Sequence, residues 1–508
     1  MIMKRLVTLL FTVILGLRAF GQTPAPAFVR DDIDGYINWS ITNWRIPGAA
    51  VCIVKDGEVV LMKGYGVREF GLNSPVDVHT LFMIGSNTKA FTATGLALLE
   101  TDKKLSLNDR VTKYLPAFRL DNRLAGEQAI IRDLLSHRLG LKTFQGDFTY
   151  WTSTLSREEI IGKLGQAKAP YDFRTRWGYT NAAFVAAGEV IGKAAGKSWE
   201  DFIRERILTP LGMNTTLMLS RDLAASPNKA AAHTMADGRL ISIRYPDIDN
   251  LAPAGSMSSS VSDLSKWVLM LLNKGKQGQK VIVPEPALNQ TWFPHSVLGN
   301  GGTLFNRGHF SLYGLGWFLE EYSGRRVISH TGGVNGFVTS VTLVPEENLG
   351  IVVLTNSDQN YFYESLKWEV MDAYFNLPFR NYSKIHLENF KKRQQEELRK
   401  DKALQDSVAA GRKAALSLNA YAGRYRNGFY GELTIKKYGD ELRMTLQHHP
   451  NMFVRLQPLG GHRFYATFSD PVFGKAVFPF RTDGRKVTGV SVKVSDFIET
   501  DPYEFAKE

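Results

Sequence analysis

A serine and a lysine stand three positions apart in the segment 81–100, which reads LFMIGSNTKAFTATGLALLE. Apolar residues recur with helical spacing after Gly85, so Ser86 and Lys89 are expected on one face of a helix, one turn apart. A serine hydroxyl is a weak nucleophile until a neighbouring base takes its proton, and a lysine amine can be that base. The helix N-terminus also favours the negative charge that develops on the serine oxygen. The pair predicts a serine nucleophile; the alternative is an N-cap serine followed by a solvated lysine.

Tyr179 and Asn181, in the phrase RWGYTNAAF, are the second candidate group. In an extended segment their side chains point to the same side of the chain. A tyrosine placed between cationic groups can lose its proton well below its usual pKa of about 10 and then act as a general base. The alternative interpretation is a packed tyrosine ahead of a helix that Asn181 caps.

The third candidate group is the run His330-Thr331-Gly332-Gly333. Glycines in a strand let the backbone approach a ligand closely, and a strand N–H can point at a developing oxyanion. The run therefore predicts a substrate-binding strand, and a glycine bulge that ends the strand is the alternative.

The residues around these groups predict an α+β fold. Residues 47–64 predict two strands joined by a hairpin turn at Asp56-Gly57. A mixed helical region follows at about 86–230, and from Arg325 three β-branched runs predict an antiparallel meander. Strands before and after a helical stretch indicate one antiparallel sheet flanked by helices, with a helical region inserted in it.

The composition changes toward the C-terminus. The stretch 381–415 mixes acids and bases without proline, which predicts a solvated helical connector. Short β-rich runs follow in 416–508 and predict a small all-β barrel or sandwich as a second domain. His448 and His449 are expected on the surface of this domain and not in a metal site. The turn signals between the runs are Asn427-Gly428, Gly439-Asp440, Gly460-Gly461 and Asp483-Gly484.

The first residues and the overall charge limit where the protein works. Lys4 and Arg5 precede an apolar run at 6–17 followed by small residues, which predicts a signal peptide at 1–21 and export to the periplasm or beyond. This leader is too short to remain as a membrane anchor. The net charge of +12 comes from bases scattered among acids, so nucleic acid is not an expected partner. Cys52 is the only cysteine, which excludes an internal disulfide, and it is expected in a buried strand.

Four further phrases, LLSHRLGL, PLGMNTT, PAGSMSSSVSDLSKW and YGLGW, accompany the three groups. With them, the region from about 30 to 375 resembles the serine β-lactamase-related family, which includes class C β-lactamases, D-Ala-D-Ala carboxypeptidases, D-aminopeptidases and related esterases. That family carries Ser-x-x-Lys, Tyr-x-Asn and a Lys- or His-Thr-Gly strand in the order found here. The tail, with YAGRY and DFIETDPYEF, resembles a lipocalin-like domain found on some members. The resemblance implies a hydrolase domain at 28–380 and, after the connector, a lipocalin-like β domain at 416–508.

The resemblance implies an acyl-enzyme mechanism that needs no metal or cofactor. Ser86 attacks an amide, ester or lactam carbonyl, while Lys89 and Tyr179 move a proton from the serine and then to the leaving group. The backbone N–H groups of Ser86 and Gly333 form the implied oxyanion hole. The implied substrate-binding residues are Asn181, His330, Thr331 and Gly332.

His330 separates the activities that the resemblance allows. Class C β-lactamases usually carry lysine at this strand position, whereas several peptidase relatives carry histidine. A histidine is only partly charged at neutral pH, so it holds a substrate carboxylate less strongly than lysine does. The expected function is therefore an exported serine peptidase or amidase acting on peptides that contain D-amino acids.

Two other functions stay open at this point. One is a β-lactamase or carboxylesterase that uses the same site, and the other is a non-catalytic penicillin-binding sensor. The expected partner is a small-molecule or peptide substrate, such as a cell-wall peptide or a β-lactam. The oligomeric state is open as well.

Overall fold

The computed structural model describes residues 24–302, 304–305 and 308–508. The signal peptide predicted at 1–21 lies outside the described residues, so export stays a prediction. Each helix in the described ranges is too short or too polar to cross a membrane.

The first two strands form the predicted hairpin. β1 (Gly48–Lys55) pairs antiparallel with β2 (Glu58–Gly66), and Asp56 and Gly57 connect them. Both connecting residues have positive φ, 53° for Asp56 and 82° for Gly57. Aspartate tolerates this left-handed conformation and glycine adopts it freely, so the sequence Asp-Gly selects the two-residue turn.

These two strands belong to a larger antiparallel sheet. Within the described residues, its strands lie in the order β2, β1, β14 (Leu349–Thr355), β13 (Phe337–Val344), β12 (Arg325–Val334), β11 (Phe318–Tyr322), β10 (Ser311–Tyr313) and β9 (Ser296–Gly299). β12, β13 and β14 form the predicted meander, and this prediction is confirmed. The sheet continues into β9, β10 and β11, which were not predicted because they are short and lie among glycines. The short strands between β2 and β9 form two-stranded pairs outside this sheet; they are β3 (Phe82–Met83), β4 (Ala232–Ala236), β5 (Arg239–Ile243), β6 (Ser258–Ser259), β7 (Lys276–Gln277) and β8 (Lys280–Val281).

Helices cover both faces of the sheet. They are α1 (Ile33–Trp44), α2 (Thr88–Thr101), α3 (Arg123–Gln128), α4 (Ile131–Leu135), α5 (Asp147–Tyr150), α6 (Arg157–Leu164), α7 (Asn181–Ala195), α8 (Trp199–Ile203), α9 (Thr209–Leu211), α10 (Ser220–Leu223), α11 (Ala252–Gly255), α12 (Val261–Leu272), α13 (Glu285–Thr291), α14 (Phe362–Tyr374), α15 (Tyr382–Ala409) and α16 (Leu418–Tyr421). The inserted helical region predicted at about 86–230 is present and contains α2 to α10.

β1 shows how the two helical layers share the sheet. Ala49 and Val51 pack in a cluster with α1 and α14, whereas Ala50 and Cys52 pack on the other face with α2, α7 and α12. This follows because alternate residues of a strand point to opposite faces. Cys52 is therefore buried in a strand, as predicted, and burial raises the pKa of its thiol to about 12.

The C-terminal region is a closed antiparallel barrel of eight strands over the fully described stretch 423–507. The barrel is thus confirmed, and the predicted turn signals lie at connections between consecutive strands. Its interior is filled by aromatic and aliphatic side chains. The lipocalin-like relationship stays a prediction. The strands are β15 (Gly423–Asn427), β16 (Gly431–Tyr438), β17 (Glu441–Leu446), β18 (His449–Pro458), β19 (Arg463–Phe468), β20 (Lys475–Thr482), β21 (Val487–Val492) and β22 (Tyr503–Lys507).

α15 leads from the sheet to the barrel. It begins after Asn381, whose side chain accepts a hydrogen bond from the Lys384 N–H at 3.3 Å and so caps the first turn. Tyr382 and Leu387 are buried in the cluster with α1 and α14, while most later residues are exposed and charged. The stretch predicted as a connector at 381–415 is therefore mainly helical, and the domain boundaries stay predictions.

The barrel packs tightly against the α5 segment. Phe148 is fully buried among barrel side chains, and its ring stacks on Tyr430 with the centroids 4.9 Å apart. His449 is buried as well, and its Nε2 lies 2.9 Å from the carbonyl oxygen of Trp151. The expectation that His449 lies on the barrel surface is therefore wrong, because the α5 segment covers that end of β18.

This packing predicts a large effect of Phe148→Ala on stability. Removing a buried phenylalanine ring costs about 3–5 kcal/mol in the free energy of unfolding, since transfer and cavity terms add. We expect this loss in urea denaturation followed by circular dichroism. The control is Phe293→Ala, because Phe293 is 63% exposed and should change stability little. Equal midpoints for Phe148→Ala and the unmodified protein would contradict the docked arrangement.

Candidate active site

Ser86 lies in the 3-10 turn Gly85–Asn87, which runs directly into α2. The predicted geometry is present: the Lys89 Nζ lies 3.1 Å from the Ser86 Oγ, one turn along. Gly85 has a φ of 52°, and a Cβ there would lie only 3.0 Å from the Gly333 nitrogen. Glycine is thus needed where the turn meets the strand. Ser86 remains partly exposed, whereas Lys89 has no exposed surface.

Three oxygen atoms surround the buried amine of Lys89. They are the Asn181 Oδ1 at 2.7 Å, the Ala254 carbonyl oxygen at 2.8 Å and the Ser86 Oγ. A neutral amine has two N–H donors and one lone pair, so it can donate to the two carbonyl oxygens and accept from the serine hydroxyl. Burial lowers the pKa of Lys89 to about 7, although Asp147 opposes part of the shift. Lys89 is therefore arranged as a base for Ser86.

Tyr179 lies in an extended segment two residues before α7, packed between the His137 ring and Lys89. The ring centroids of Tyr179 and His137 are 4.3 Å apart, and the Lys89 Nζ lies 4.6 Å from the Tyr179 centroid. Burial raises the pKa of Tyr179 above its ordinary value, and the nearby Ser86 hydroxyl offsets only part of the rise. This shift is opposite to the one expected for a tyrosine between cationic groups, so the expectation of a phenolate base is wrong. Within the described chain, the buried hydroxyl has no hydrogen-bond partner of its own.

Asn181 connects Lys89 to Asp147, a residue that the sequence analysis missed. The Asn181 Nδ2 donates to the Asp147 Oδ2 at 2.7 Å, which fixes the amide with its oxygen toward Lys89. Burial raises the pKa of Asp147 well above its ordinary range, the charge of Glu499 adds to the rise, and the Asn181 bond opposes it. The available signal was a single acid within the aromatic run GDFTYW, since such a run is expected to be buried.

The predicted strand with Thr331, Gly332 and Gly333 is part of β12 and lines the same cavity as Ser86. A Cβ on Gly332 would lie 1.8 Å from the Ile84 carbonyl oxygen, so only glycine permits this close approach. The strand therefore lies directly beside the turn that carries Ser86. The N–H groups of Ser86 and Gly333 stay the predicted donors of an oxyanion hole.

His330 is neutral, and both of its ring nitrogens have hydrogen-bond partners within the protein. Its Nδ1 lies 2.7 Å from the Thr331 carbonyl oxygen, and its Nε2 lies 3.1 Å from the Tyr313 hydroxyl. Burial, together with the charge of Lys89, lowers the pKa of His330 to about 3. The expectation of a partly charged histidine at neutral pH is therefore wrong. Nδ1 donates to the carbonyl and Nε2 accepts from the hydroxyl, which leaves no ring N–H to donate to a substrate carboxylate.

His137, which sequence reasoning used only as part of a phrase, positions the Tyr179 segment. Its Nδ1 accepts a hydrogen bond from the Thr180 N–H at 3.0 Å. Its backbone has a φ of 57°, and burial lowers its pKa well below the ordinary value. A neutral ring is required here, because the Nδ1 must keep its lone pair to accept.

A cavity of about 1170 Å³ opens above Ser86, between the sheet-and-helix part, α15 and the barrel. Aromatic side chains line the cavity beside Tyr179, His330 and Gly333, and charged side chains, several of them on α15, line it as well. The aromatic residues include Phe144, Trp151, Trp177, Tyr179, Phe318 and Phe497, and the charged ones include Asp237, Arg393, Glu397, Lys400, Asp401 and Lys475. The volume is enough for a peptide fragment or a molecule of similar size. Across the described residues, no group of three or more His, Cys, Asp or Glu side chains is placed to hold a metal ion.

The chain belongs to the Beta-lactamase family, whose sequence model matches residues 33–374. This defines the class of protein: a serine hydrolase fold of the β-lactamase type. A second model, described as a domain of unknown function (DUF3471), matches residues 408–507.

Relatives resemble the chain in sequence, and solved structures resemble it in fold. The chain is 30% identical over 342 residues to the unguisins hydrolase ungD' of Aspergillus campestris, covering 65% of this chain and 62% of that protein. The chain spans only 62% to 65% of the length of such curated relatives. The octameric penicillin-binding protein homologue of Pyrococcus abyssi has a TM-score of 0.61 at 21% identity and covers 94% of this chain and 99% of its own. A D-stereospecific amidohydrolase of Streptomyces sp. has a TM-score of 0.56 at 22% identity, covering 69% and 99%.

The coupling of Lys89 to Asp147 predicts a pH effect. Activity needs the neutral amine, so it should rise with pH through a midpoint near the Lys89 pKa of about 7. The charge of Asp147 opposes the lowering of the Lys89 pKa, so Asp147→Asn, which keeps an oxygen for Asn181, should move the midpoint to lower pH. The measurement is kcat/KM against pH.

The control for this titration is Asp440→Asn, at an exposed turn of the barrel. It should leave the midpoint in place. An upward shift for Asp147→Asn, or none, would contradict the assignment of Lys89 as the base.

Proposed function

We propose that the protein is a serine hydrolase that cleaves amide bonds through an acyl-enzyme, with peptides or amides containing D-amino acids as substrates. The observation that carries this proposal is the buried Lys89 amine, 3.1 Å from the partly exposed Ser86 hydroxyl, with a pKa of about 7. A base with a pKa near the working pH removes a proton most effectively. The partner is accordingly a small-molecule or peptide substrate.

In the acylation step, Lys89 takes the proton of Ser86 as the Oγ bonds to the substrate carbonyl carbon. The carbonyl electrons move to its oxygen, where the N–H groups of Ser86 and Gly333 receive the charge. The Tyr179 hydroxyl then donates its proton to the leaving nitrogen and regains one from Lys89, and the C–N bond breaks. A neutral tyrosine suits this role, since its raised pKa keeps the proton available.

In the deacylation step, water attacks the acyl-enzyme while Lys89, again neutral, accepts its proton. The bond between the acyl carbon and the Ser86 Oγ breaks, the Oγ takes the proton back, and the acid product leaves. Asn181 holds Lys89 in place through both steps by its hydrogen bond of 2.7 Å. Every group used is thereby restored to its starting protonation state.

The choice of amide substrates rests on two supports. The neutral His330 leaves strand β12 without a cation at that position, which disfavours substrates that depend on a carboxylate beside the scissile bond, as β-lactams do. In addition, one structural neighbour is a D-stereospecific amidohydrolase and one relative is named a hydrolase of unguisins. The D-configuration rests on the likeness to that neighbour.

A carboxylesterase is the second candidate. The same neutral position and the aromatic side chains that line the cavity suit uncharged ester substrates equally well. A penicillin-binding sensor that acylates without turnover is less favoured, because Lys89 is placed to accept the proton of the water that attacks the acyl-enzyme.

A pair of mirror-image substrates tests the proposal. We expect the p-nitroanilide of D-phenylalanine to be cleaved about tenfold faster or more than the L-form, which corresponds to about 1.4 kcal/mol of transition-state binding. Ser86→Ala should abolish this cleavage and also labelling by a fluorophosphonate probe, with little change in the thermal midpoint. Ser262→Ala, at the first turn of α12, is the matched control and should retain both.

The other outcomes separate the candidates. A preference for the L-form would contradict the proposed D-substrate, and turnover of esters alone would favour the carboxylesterase. Labelling that persists in Ser86→Ala would exclude Ser86 as the nucleophile.

A further inference from the structure

The segment 495–501 of the barrel, between β21 and β22, reaches the candidate active site. Phe497 and Ile498 line the cavity above Ser86. A Cβ placed on Gly333 would lie 3.4 Å from the Phe497 ring, so this ring stands next to the predicted oxyanion strand. Glu499, two residues on, is only 3% exposed although it carries a carboxylate. A buried acid requires specific partners.

The carboxylate of Glu499 accepts hydrogen bonds from the two residues that flank Asp147 and from Tyr503. Its Oε1 accepts from the Gly146 N–H at 3.0 Å, and its Oε2 accepts from the Phe148 N–H at 3.0 Å. The Tyr503 hydroxyl donates to the same Oε2 at 2.9 Å. One carboxylate therefore holds the two backbone N–H groups that flank Asp147, at the start of α5, and fixes the direction of that side chain.

From Asp147 a continuous chain of hydrogen bonds leads to the nucleophile. Asp147 accepts from Asn181 at 2.7 Å, Asn181 accepts from Lys89 at 2.7 Å, and Lys89 lies 3.1 Å from the Ser86 Oγ. Asp147, Asn181 and Lys89 are all buried, so these contacts are largely shielded from solvent. Moving the turn at Asp147 would displace Asn181, and with it the amine of Lys89.

We propose that Glu499 is a positioning residue of the catalytic site: by holding the turn that carries Asp147, it places Asn181 and Lys89 for reaction at Ser86. The barrel thereby supplies a part of the site that the sheet-and-helix part lacks. This inference rests on the proposed function, because it assigns Glu499 a role in the reactivity of Ser86.

The charges around the chain give the direction of a pH effect. Burial raises the pKa of Glu499 to about 7, while its hydrogen bonds hold it lower than burial alone would. The charge of Glu499 raises the pKa of Asp147, and the charge of Asp147 raises that of Lys89. Other charged or titratable groups facing Glu499 are Lys142, Tyr150, Lys493, Asp501 and Tyr503, and those facing Lys89 are His137, Tyr179 and His330.

Glu499→Gln tests the inference. Glutamine has one acceptor oxygen where two backbone N–H groups need one each, so the turn loses a bond. Removing the charge also favours ionised Asp147, which raises the pKa of Lys89. We expect the rate constant for fluorophosphonate labelling of Ser86 at pH 7 to fall at least tenfold and its pH midpoint to move upward. Glu504→Gln, an exposed acid on β22, is the matched control and should match the unmodified protein.

The pH midpoint separates positioning from simple loss of folding. Unfolded protein lowers the labelled fraction but does not move the midpoint of the rate constant for the folded fraction. Tyr503→Phe provides a second variant, because it keeps the ring and removes only the hydroxyl that bonds Glu499. It should shift the midpoint in the same direction by a smaller amount.

Three outcomes would decide the matter. Upward shifts in Glu499→Gln and Tyr503→Phe support the inference. Unchanged rate constants and midpoints in both variants, with unmodified protein labelled normally, would overturn it while leaving the proposed function intact. Failure to label the unmodified protein would instead overturn the proposed function. If Glu499→Gln does not fold, the Tyr503→Phe midpoint alone decides.

Discussion

The burial of the Lys89 amine is the constraint on which the rest of the candidate site depends. An ammonium group withdrawn from water loses several kcal/mol of hydration, so a fully enclosed lysine favours its neutral form near neutral pH. The three oxygen atoms around Nζ match the donors and the lone pair of that neutral form. α2 carries Lys89, α7 carries Asn181 and α11 carries Ala254. The packing of these three helices against one another therefore sets the basicity of the amine.

The barrel, which lies outside the part of the chain that matches the Beta-lactamase family, also contacts the residues that surround Lys89. The ring of Phe148 is buried among barrel side chains. The carboxylate of Glu499 accepts hydrogen bonds from the N–H groups of Gly146 and Phe148. These contacts flank Asp147, whose charge raises the pKa of Lys89. Asn181 joins the two side chains by one hydrogen bond to each. The interior of the barrel is filled by side chains, so the barrel contributes to the candidate site through its loop 495–501, which lines the cavity above Ser86.

Much of the fold was predictable because its signals are local. The Asp56-Gly57 turn, the meander of β12 to β14 and the barrel turns follow from neighbouring residues. Ser86 and Lys89 were also found locally, since three residues of helix bring them together. The protonation states of Tyr179 and His330 were predicted wrongly, because they depend on burial by distant segments. Glu499 and Asp147 are 352 positions apart, and only the tertiary structure brings them together.

The protonation of Lys89 tests this account most directly. In protein labelled with ¹³C and ¹⁵N lysine, the Cε and Nζ resonances report the charge of each amine as the pH is changed, and Lys89→Met identifies the signal of Lys89. If Lys89 is the base for Ser86, this signal titrates with a midpoint near 7, whereas ordinary lysines titrate at about 10.4. A Lys89 signal that titrates with the other lysines would contradict it, because the amine would then be a cation at working pH and could not take the proton of Ser86.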